Sequence, residues 1–224
     1  MTHAGHAHMK FTSREELFTY IFRNNTWGGK VSVSGSGSDT SQTQRVISVL
    51  PELLRHLEIS TLLDVPCGDF HWMSSVDLGG INYIGGDIVN AMIQNNKKYE
   101  RENIVFQKLD IIDDALPTAD LILCRDCLVH FCIADIFRTL NNIFQSKSQY
   151  LLTTTFTGRG QNYEIQTGQW RPLNLQINPF NFPQPLMTVV EGCTEGDGAF
   201  ADKTLALWKI GDIKKRMMSG LATR

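Results

Sequence analysis

The sequence predicts an α/β protein with a mostly parallel, seven-stranded sheet, helices on both faces and a C-terminal antiparallel hairpin. Five short apolar or β-branched runs in the middle of the chain end in polar residues, which is typical of buried parallel strands. Amphipathic stretches separate several of these runs. Strands alternating with helices indicate a parallel sheet that is covered on both faces.

The seven predicted strands follow one another between residues 61 and 210. The first five are TLLDV (61–65), INYIGGDIV (81–89), NIVFQKLDI (103–111), ADLILC (119–124) and QYLLTTTF (149–156). Two further runs, PLMTVVEGC (185–193) and KTLALWKI (203–210), flank a segment rich in Gly and Asp. Their arrangement predicts the closing hairpin.

Three stretches have helical patterns. SREE at residues 13–16 is a capping box, in which Ser13 caps the helix and Glu16 returns the hydrogen bond. Apolar residues recur at three- and four-residue steps over 43–58, where Pro51 is expected to start a second segment or a kink, and they form a stripe over 133–144.

The Gly- and Ser-rich string NNTWGGKVSVSGSGSDTSQ, at residues 24–42, predicts a loop. One interpretation is a flexible linker, but Trp27 favours a docked segment, because flexible linkers seldom carry a large aromatic residue. We therefore divide the chain into residues 1–42, an N-terminal helix with a substrate-covering segment, and residues 43–224, the main domain. The chain's 224 residues suit one core of this kind.

Composition excludes several classes of protein. The 21 Lys and Arg balance 23 Asp and Glu to a net charge of -2, whereas proteins that neutralise nucleic-acid phosphates are usually more basic. No apolar run is long enough to enter a membrane, and the N-terminus lacks an apolar leader, so we expect a cytoplasmic protein. Cys124 and Cys127 form a CxxC without a second pair, which predicts structural thiols and no metal site.

Acidic residues stand at the ends of the first three predicted strands. In open parallel sheets, ligands bind outside the carboxyl ends of the strands, near the point where the strand order reverses. Asp64 and Gly68 belong to DVPCGDF, and Gly68 lets a ligand approach the backbone closely. Asp87 ends GGD, where a carboxylate can accept from two ribose hydroxyls, and Asp110 ends KLD. A nicotinamide dinucleotide is the alternative ligand, but it needs a GxGxxG loop that DVPCGDF does not provide.

In this order the motifs resemble those of the class I S-adenosylmethionine-dependent methyltransferases, and the resemblance spans about residues 57–210. It implies a Rossmann-like fold and S-adenosylmethionine as the cofactor. The cofactor-binding residues that it implies are Asp64, Pro66 and Gly68 at the methionine end, Asp87 at the ribose, Asp110 and Ile111 at the adenine, and Arg125. One departure is that Pro66 and Phe70 stand where the family usually has glycines.

The segment CRDCLVHF after the fourth strand corresponds to the family's variable motif beside the reacting groups. We expect His130 to be the general base and Asp126 to be the second candidate, because the pKa of histidine lies near neutrality. A histidine satisfied by the backbone, with a purely structural role, is an equally open interpretation of His130.

The string at 24–42, DVPCGDFHWM and WRPLNLQINPFNFPQP (170–185) also resemble a group of bacterial methyltransferases associated with surface (capsular) polysaccharides. This resemblance implies O-methylation of a sugar or of a small group on a polysaccharide precursor. The candidate substrate-binding residues are Trp27, Ser34, Ser36, Ser38, Trp170 and Arg171. The alternatives are that residues 170–182 only pack across the sheet edge, that the acceptor is RNA, or that the chain is a non-catalytic S-adenosylmethionine-binding module.

Overall fold

A computed structural model describes residues 11–221, so the predicted absence of an N-terminal leader lies outside the described residues. Its centre is one seven-stranded sheet with the order β3-β2-β1-β4-β5-β7-β6. The strands are β1 Thr61–Asp64, β2 Asn82–Asp87, β3 Ile104–Lys108, β4 Leu121–Cys124, β5 Tyr150–Phe156, β6 Met187–Val190 and β7 Lys203–Lys209.

Strand pairing confirms the predicted sheet. β1 to β5 are parallel, and β7 runs antiparallel to both β5 and β6. The chain builds outward from β1 to β3, and then returns to place β4 and β5 on the other side of β1. The strand order therefore reverses between β1 and β4, which is where a ligand is expected.

Five helices accompany the sheet in the described part of the chain. They are α1 Arg14–Arg23, α2 Thr40–His56, α3 Asn90–Asn96, α4 Ile133–Gln145 and α5 Ile210–Leu221. The connection from β1 to β2 contains only the short 3₁₀ turn Met73–Ser75, and residues 109–120 contain no helix. Two connections between strands, from β1 to β2 and from β3 to β4, therefore lack the α-helix that strict alternation of strands and helices implies.

Each face of the sheet packs on its own apolar cluster, which confirms that both faces are covered. On one face, Leu62 and Leu121 pack in the cluster that includes Leu50 and Leu54 of α2. The opposite cluster contains Leu63, Ile122 and Leu151 of the sheet, Ile136 and Leu140 of α4, and Ile213 of α5. Successive strand residues point to opposite faces, so neighbours such as Leu62 and Leu63 enter different clusters.

Two local expectations need correction. α2 continues through Pro51 without a break, because Leu50, Leu53 and Leu54 anchor it on both sides of the missing amide hydrogen. It begins at Thr40, so the division predicted at residue 42 falls inside this helix.

The capping box closes differently from its prediction. The Ser13 hydroxyl accepts from the Glu16 amide at 3.1 Å, as predicted, but the Glu16 carboxylate accepts from Thr12 N at 2.7 Å rather than from Ser13.

No helix within residues 11–221 has both the length and the apolar character needed to cross a bilayer.

Candidate active site

One cavity lies at the carboxyl edge of the sheet, where the strand order reverses. The predicted site residues that line it are Trp27, Ser34, Ser38, Asp64, Pro66, Gly68, Asp87, Asp110, Ile111, Arg125, Asp126 and His130. Residues from five separate segments thus meet at the position that the parallel sheet favours for a ligand.

Asp64, the last residue of β1, is almost fully buried. Its Oδ2 accepts from the Tyr83 hydroxyl at 2.6 Å, and the residue is 2 % exposed. Burial raises the pKa of Asp64 to about 7, because the charged form loses its hydration, and the hydrogen bond from Tyr83 and the positive charge of Arg125 offset this loss only in part. The side chain is therefore poised to ionise when a cationic group arrives.

The loop after β1 is shaped by two residues in the left-handed region. Gly68 has φ +57, and a Cβ there would lie 2.3 Å from the Ser34 Oγ of the N-terminal loop, so only glycine fits. Phe70 has φ +58, although it is not glycine. Its ring packs edge-on against Tyr83 and Phe106, at 5.1 and 5.0 Å between centroids, which holds the unusual conformation. This packing accounts for the departure of the loop from the family's glycine pattern.

Asp87 ends β2 and ties this strand to the loop after β1. Its two oxygens accept from Gly68 N at 3.2 Å and from Val89 N at 2.9 Å. Burial raises the pKa of Asp87 to about 6. The carboxylate keeps further lone pairs for donors in the cavity, as a ribose-binding residue requires.

Asp110 follows β3 and is held from two sides. Its Oδ1 accepts from Ile112 N at 2.9 Å, and its Oδ2 accepts from Arg14 Nη2 of α1 at 2.8 Å. The adjacent Ile111 is buried and supplies an apolar wall to the cavity.

Asp126 and Arg125 follow β4 and belong to a buried ion-pair network. Lys203 Nζ lies 2.6 Å from Asp126 Oδ2, and Arg125 pairs with Asp126 at 3.2 Å and with Glu191 at 2.6 Å. Burial alone would raise the pKa of Asp126, but the two cations outweigh it and lower the pKa to about 2. Asp126 is therefore a fixed anion, which makes it a poor proton acceptor near neutral pH.

His130 ends a 3₁₀ turn and is clamped by two loops. Its Nδ1 lies 3.0 Å from the Gln169 carbonyl oxygen, and the Trp27 ring stacks on the imidazole at 4.2 Å between centroids. A carbonyl only accepts, so the neutral ring carries its proton on Nδ1 and its lone pair on Nε2. Burial lowers the pKa of His130 to about 4 and keeps the ring neutral at physiological pH.

Three predicted substrate-binding residues do not line this cavity. Ser36 donates to Glu195, Trp170 packs on Phe200 at 4.8 Å between ring centroids, and Arg171 is fully buried beside the Val129 carbonyl. For Trp170 and Arg171, the alternative interpretation of packing across the sheet edge describes these contacts.

Sequence reasoning missed α1 as a wall of the cavity. Arg14 and Phe18 line it, together with Ile21 and Phe22, although the helix itself was predicted from its capping box and apolar residues. An amphipathic pattern shows that one face is buried, but it does not show against what. Lys203, which fixes Asp126, was likewise hidden inside a predicted strand.

Comparison with solved structures finds the same fold in methyltransferases. The Burkholderia thailandensis 1,6-didemethyltoxoflavin-N1-methyltransferase, with bound 1,6-didemethyltoxoflavin and S-adenosylhomocysteine, is 13% identical with a TM-score of 0.64, and the match covers 90% of this chain and 92% of that one. The fold is a methyltransferase fold. N-methyltransferase NodS from Bradyrhizobium japonicum WM9 shares it at 14% identity and a TM-score of 0.57, over 76% of this chain and 97% of that one.

Human N-acetylserotonin methyltransferase, in complex with S-adenosylmethionine, also has this methyltransferase fold, at 15% identity and a TM-score of 0.56. The match covers 88% of this chain but only 59% of that one, so the present chain spans less than two thirds of the human enzyme. No protein-family model matches the sequence, and no curated protein is similar to it. At these identities the likeness concerns the fold alone.

Proposed function

We propose that the protein is an S-adenosylmethionine-dependent methyltransferase that methylates a neutral hydroxyl group of a small acceptor. The observation that carries this proposal is the meeting, in one cavity, of Asp64 and Asp87 at two strand ends with the neutral His130. A methyltransferase fold with bound S-adenosylhomocysteine in a neighbour of 13% identity supports it.

The residues of the cavity fit S-adenosylmethionine. This cofactor carries no phosphate, and it presents a sulfonium, an ammonium and two ribose hydroxyls. Asp87 is placed to accept from the hydroxyls, and Asp64 supplies negative charge for the cationic groups when it ionises. Gly68 leaves room for the Ser34 side chain beside the loop after β1, because a Cβ at residue 68 would lie 2.3 Å from the Ser34 Oγ.

When it is bound, S-adenosylmethionine supplies an electrophilic methyl group. The chain's own contribution is to align the acceptor hydroxyl and to remove its proton, and alignment alone can supply much of the rate. His130 accepts the proton at Nε2, while Nδ1–H stays on the Gln169 carbonyl. A base with a pKa near 4 is sufficient, because the hydroxyl becomes strongly acidic as its oxygen bonds to carbon.

A sugar hydroxyl is the finer form of this proposal. Trp27 and Phe18 offer aromatic surface to the cavity, and Ser34 and Ser38 offer hydroxyls, a combination that suits the apolar faces and polar edges of a sugar. We propose as the acceptor a precursor of a bacterial surface polysaccharide, which places the enzyme in the cytoplasm. The net charge of -2 does not favour RNA.

Two measurements test the proposal. Calorimetry with S-adenosylmethionine and S-adenosylhomocysteine is expected to show binding, and no binding at millimolar ligand would refute the cofactor assignment. Methyl-labelled S-adenosylmethionine is then incubated with nucleotide sugars, with free sugars and with RNA. Label on a sugar oxygen supports the proposal, whereas label on RNA alone would replace the acceptor, and binding without transfer to any acceptor would favour a non-catalytic module.

A further inference from the structure

Helix α1 covers the part of the cavity beside Asp110, the predicted adenine-binding residue, and we call this part the adenine end. Arg14, Phe18, Ile21 and Phe22 of this helix line the cavity. Ile21 is the only fully buried residue of the helix, whereas Phe18 is partly buried and packs on Trp27 and Phe131 at 6.1 Å between ring centroids. A wall whose side chains are mostly only partly buried opens at a lower free energy than the core of the sheet does.

Ion pairs to the end of β3 and the loop after it hold α1 in place. Arg14 Nη2 donates to Asp110 Oδ2 at 2.8 Å and also contacts Asp113, while Glu15 pairs with Lys108 at 2.6 Å. The Arg14 and Asp110 side chains are 23% and 17% exposed, so solvent screens their pair less than it screens a fully exposed one.

The Arg14 contact also fixes the carboxylate of Asp110. One oxygen accepts from Ile112 N and the other accepts from the guanidinium, so the side chain cannot rotate freely. A partner that restricts a binding residue in this way pre-organises the site.

We infer that Arg14 is a cofactor-positioning residue, and that α1 controls exchange of the cofactor at the adenine end of the cavity. This inference rests on the proposed function, because it requires an adenosyl ligand at Asp110. Arg14 orients Asp110 and holds α1 closed, and the ion pairs of α1 open when S-adenosylhomocysteine leaves.

The test compares the release of S-adenosylhomocysteine from the wild type, Arg14→Gln and Arg138→Gln. Arg138 is the matched control because it also pairs with Asp113, but from α4 rather than from α1. Stopped-flow tryptophan fluorescence follows release, since Trp27 and Trp72 line the cavity. We expect Arg14→Gln to release the ligand about three- to tenfold faster, in the range of a partly shielded ion pair, and Arg138→Gln to stay within about twofold of the wild type.

Salt provides a second readout. Release from the wild type is expected to accelerate as NaCl rises, and this dependence should be flatter in Arg14→Gln. Asp113→Asn, which alters no cavity-lining residue, should shift release in the same direction by a smaller factor. Equal rates and equal salt dependence in the wild type and Arg14→Gln would overturn the inference, as would an equal acceleration in Arg138→Gln. Failure of the wild type to bind S-adenosylhomocysteine at all would instead overturn the proposed function, and this inference with it.

Discussion

The cavity has two halves, which shift the pKa values of their carboxyl groups in opposite directions. The donor half contains Asp64 and Asp87, and the acceptor half contains Asp126 and His130. In the donor half, the hydrogen-bond partners of Asp64 and Asp87 are neutral, and burial raises the pKa values of these two carboxyl groups to about 7 and about 6. In the acceptor half, Asp126 lies between two cations with a pKa of about 2, and His130 is desolvated to a pKa of about 4. A bound cation would therefore stabilise the charged carboxyl groups of the donor half, whereas the negative charge of Asp126 in the acceptor half is already paired with Arg125 and Lys203.

This difference implies a division of labour. In the proposed function, a cationic cofactor would complete the donor half by favouring the ionised form of its two carboxyl groups. In the acceptor half, a neutral imidazole stands beside an anion that is already paired. Changes in the donor half should therefore alter binding, and changes in the acceptor half should alter turnover. Each prediction below can break or sharpen this separation.

The largest effect is expected at His130. His130→Ala should lower turnover by roughly 10²–10⁴-fold, the usual contribution of a positioned acid–base group, while affinity for S-adenosylmethionine stays the same. His130→Asn separates the roles, because it keeps hydrogen bonding but cannot take a proton. Steady-state kinetics at saturating donor, combined with calorimetry on both variants, measures the two quantities independently.

The pH profile sharpens this prediction. At saturating donor, the rate should fall only as pH approaches 4, where the His130 ring becomes protonated. At low donor concentration, the rate should already fall between about pH 7 and pH 6, as Asp64 and Asp87 become protonated. Identical turnover and an identical acidic limb in the wild type and His130→Asn would make His130 structural.

The next effect is expected in the donor half, at Asp87. Asp87→Ala removes the acceptor for two ribose hydroxyls and should weaken S-adenosylmethionine binding by about 1.5–3 kcal/mol, the usual value for hydrogen bonds to a charged group. Asp77→Ala is the control, because Asp77 lies in an exposed turn and its carboxylate accepts from Gly79 N. Calorimetry that finds equal affinity in the two folded variants would remove Asp87 from the donor site.

The sequence predicted the donor half better than the acceptor half, for a physical reason. Asp64 and Asp87 stand at the ends of adjacent parallel strands, so the hydrophobic pattern that identifies the strands also brings these acids together. Local sequence was sufficient there. The closing hairpin of β6 and β7 was predictable on the same basis.

The acceptor half depends on contacts between segments far apart in sequence. Trp27 stacks on His130 from the N-terminal loop, the Gln169 carbonyl accepts from Nδ1 of the same ring, and Lys203 reaches Asp126 from β7. Neither periodicity nor strand order specifies such pairings. The packing partner of α1 was hidden for the same reason, since an amphipathic face does not name its neighbour.

A smaller effect on turnover is expected from Trp27. Trp27→Ala removes the ring that stacks on His130 and should lower turnover by about fivefold, equivalent to the roughly 1 kcal/mol of an aromatic stacking contact, with donor affinity unchanged. The double variant of Trp27→Ala with His130→Asn tests whether Trp27 affects turnover through His130. If Trp27 acts by positioning His130, its removal should change turnover little in the His130→Asn background. Full additivity would instead indicate that Trp27 contacts the acceptor directly.

The smallest effect concerns stability and comes from Asp64. Its folded pKa of about 7 lies above the ordinary aspartate pKa of 3.8, so its contribution to stability is fully present below pH 3.8 and is lost as pH rises through 7. Replacing this carboxyl by an amide, in Asp64→Asn, removes the penalty of burying a charge while it keeps an acceptor for the Tyr83 hydroxyl. The ligand-free variant should therefore exceed the wild type in free energy of unfolding by on the order of 1 kcal/mol at pH 8, and by less at pH 5. Urea unfolding at the two pH values measures both differences.

Added S-adenosylmethionine should reverse the order of stability between the wild type and Asp64→Asn, because the wild type gains binding energy that the variant lacks. Equal stabilities at both pH values, or a variant that S-adenosylmethionine stabilises as much as the wild type, would show that Asp64 is not a buried neutral carboxyl group that ionises when the cofactor binds.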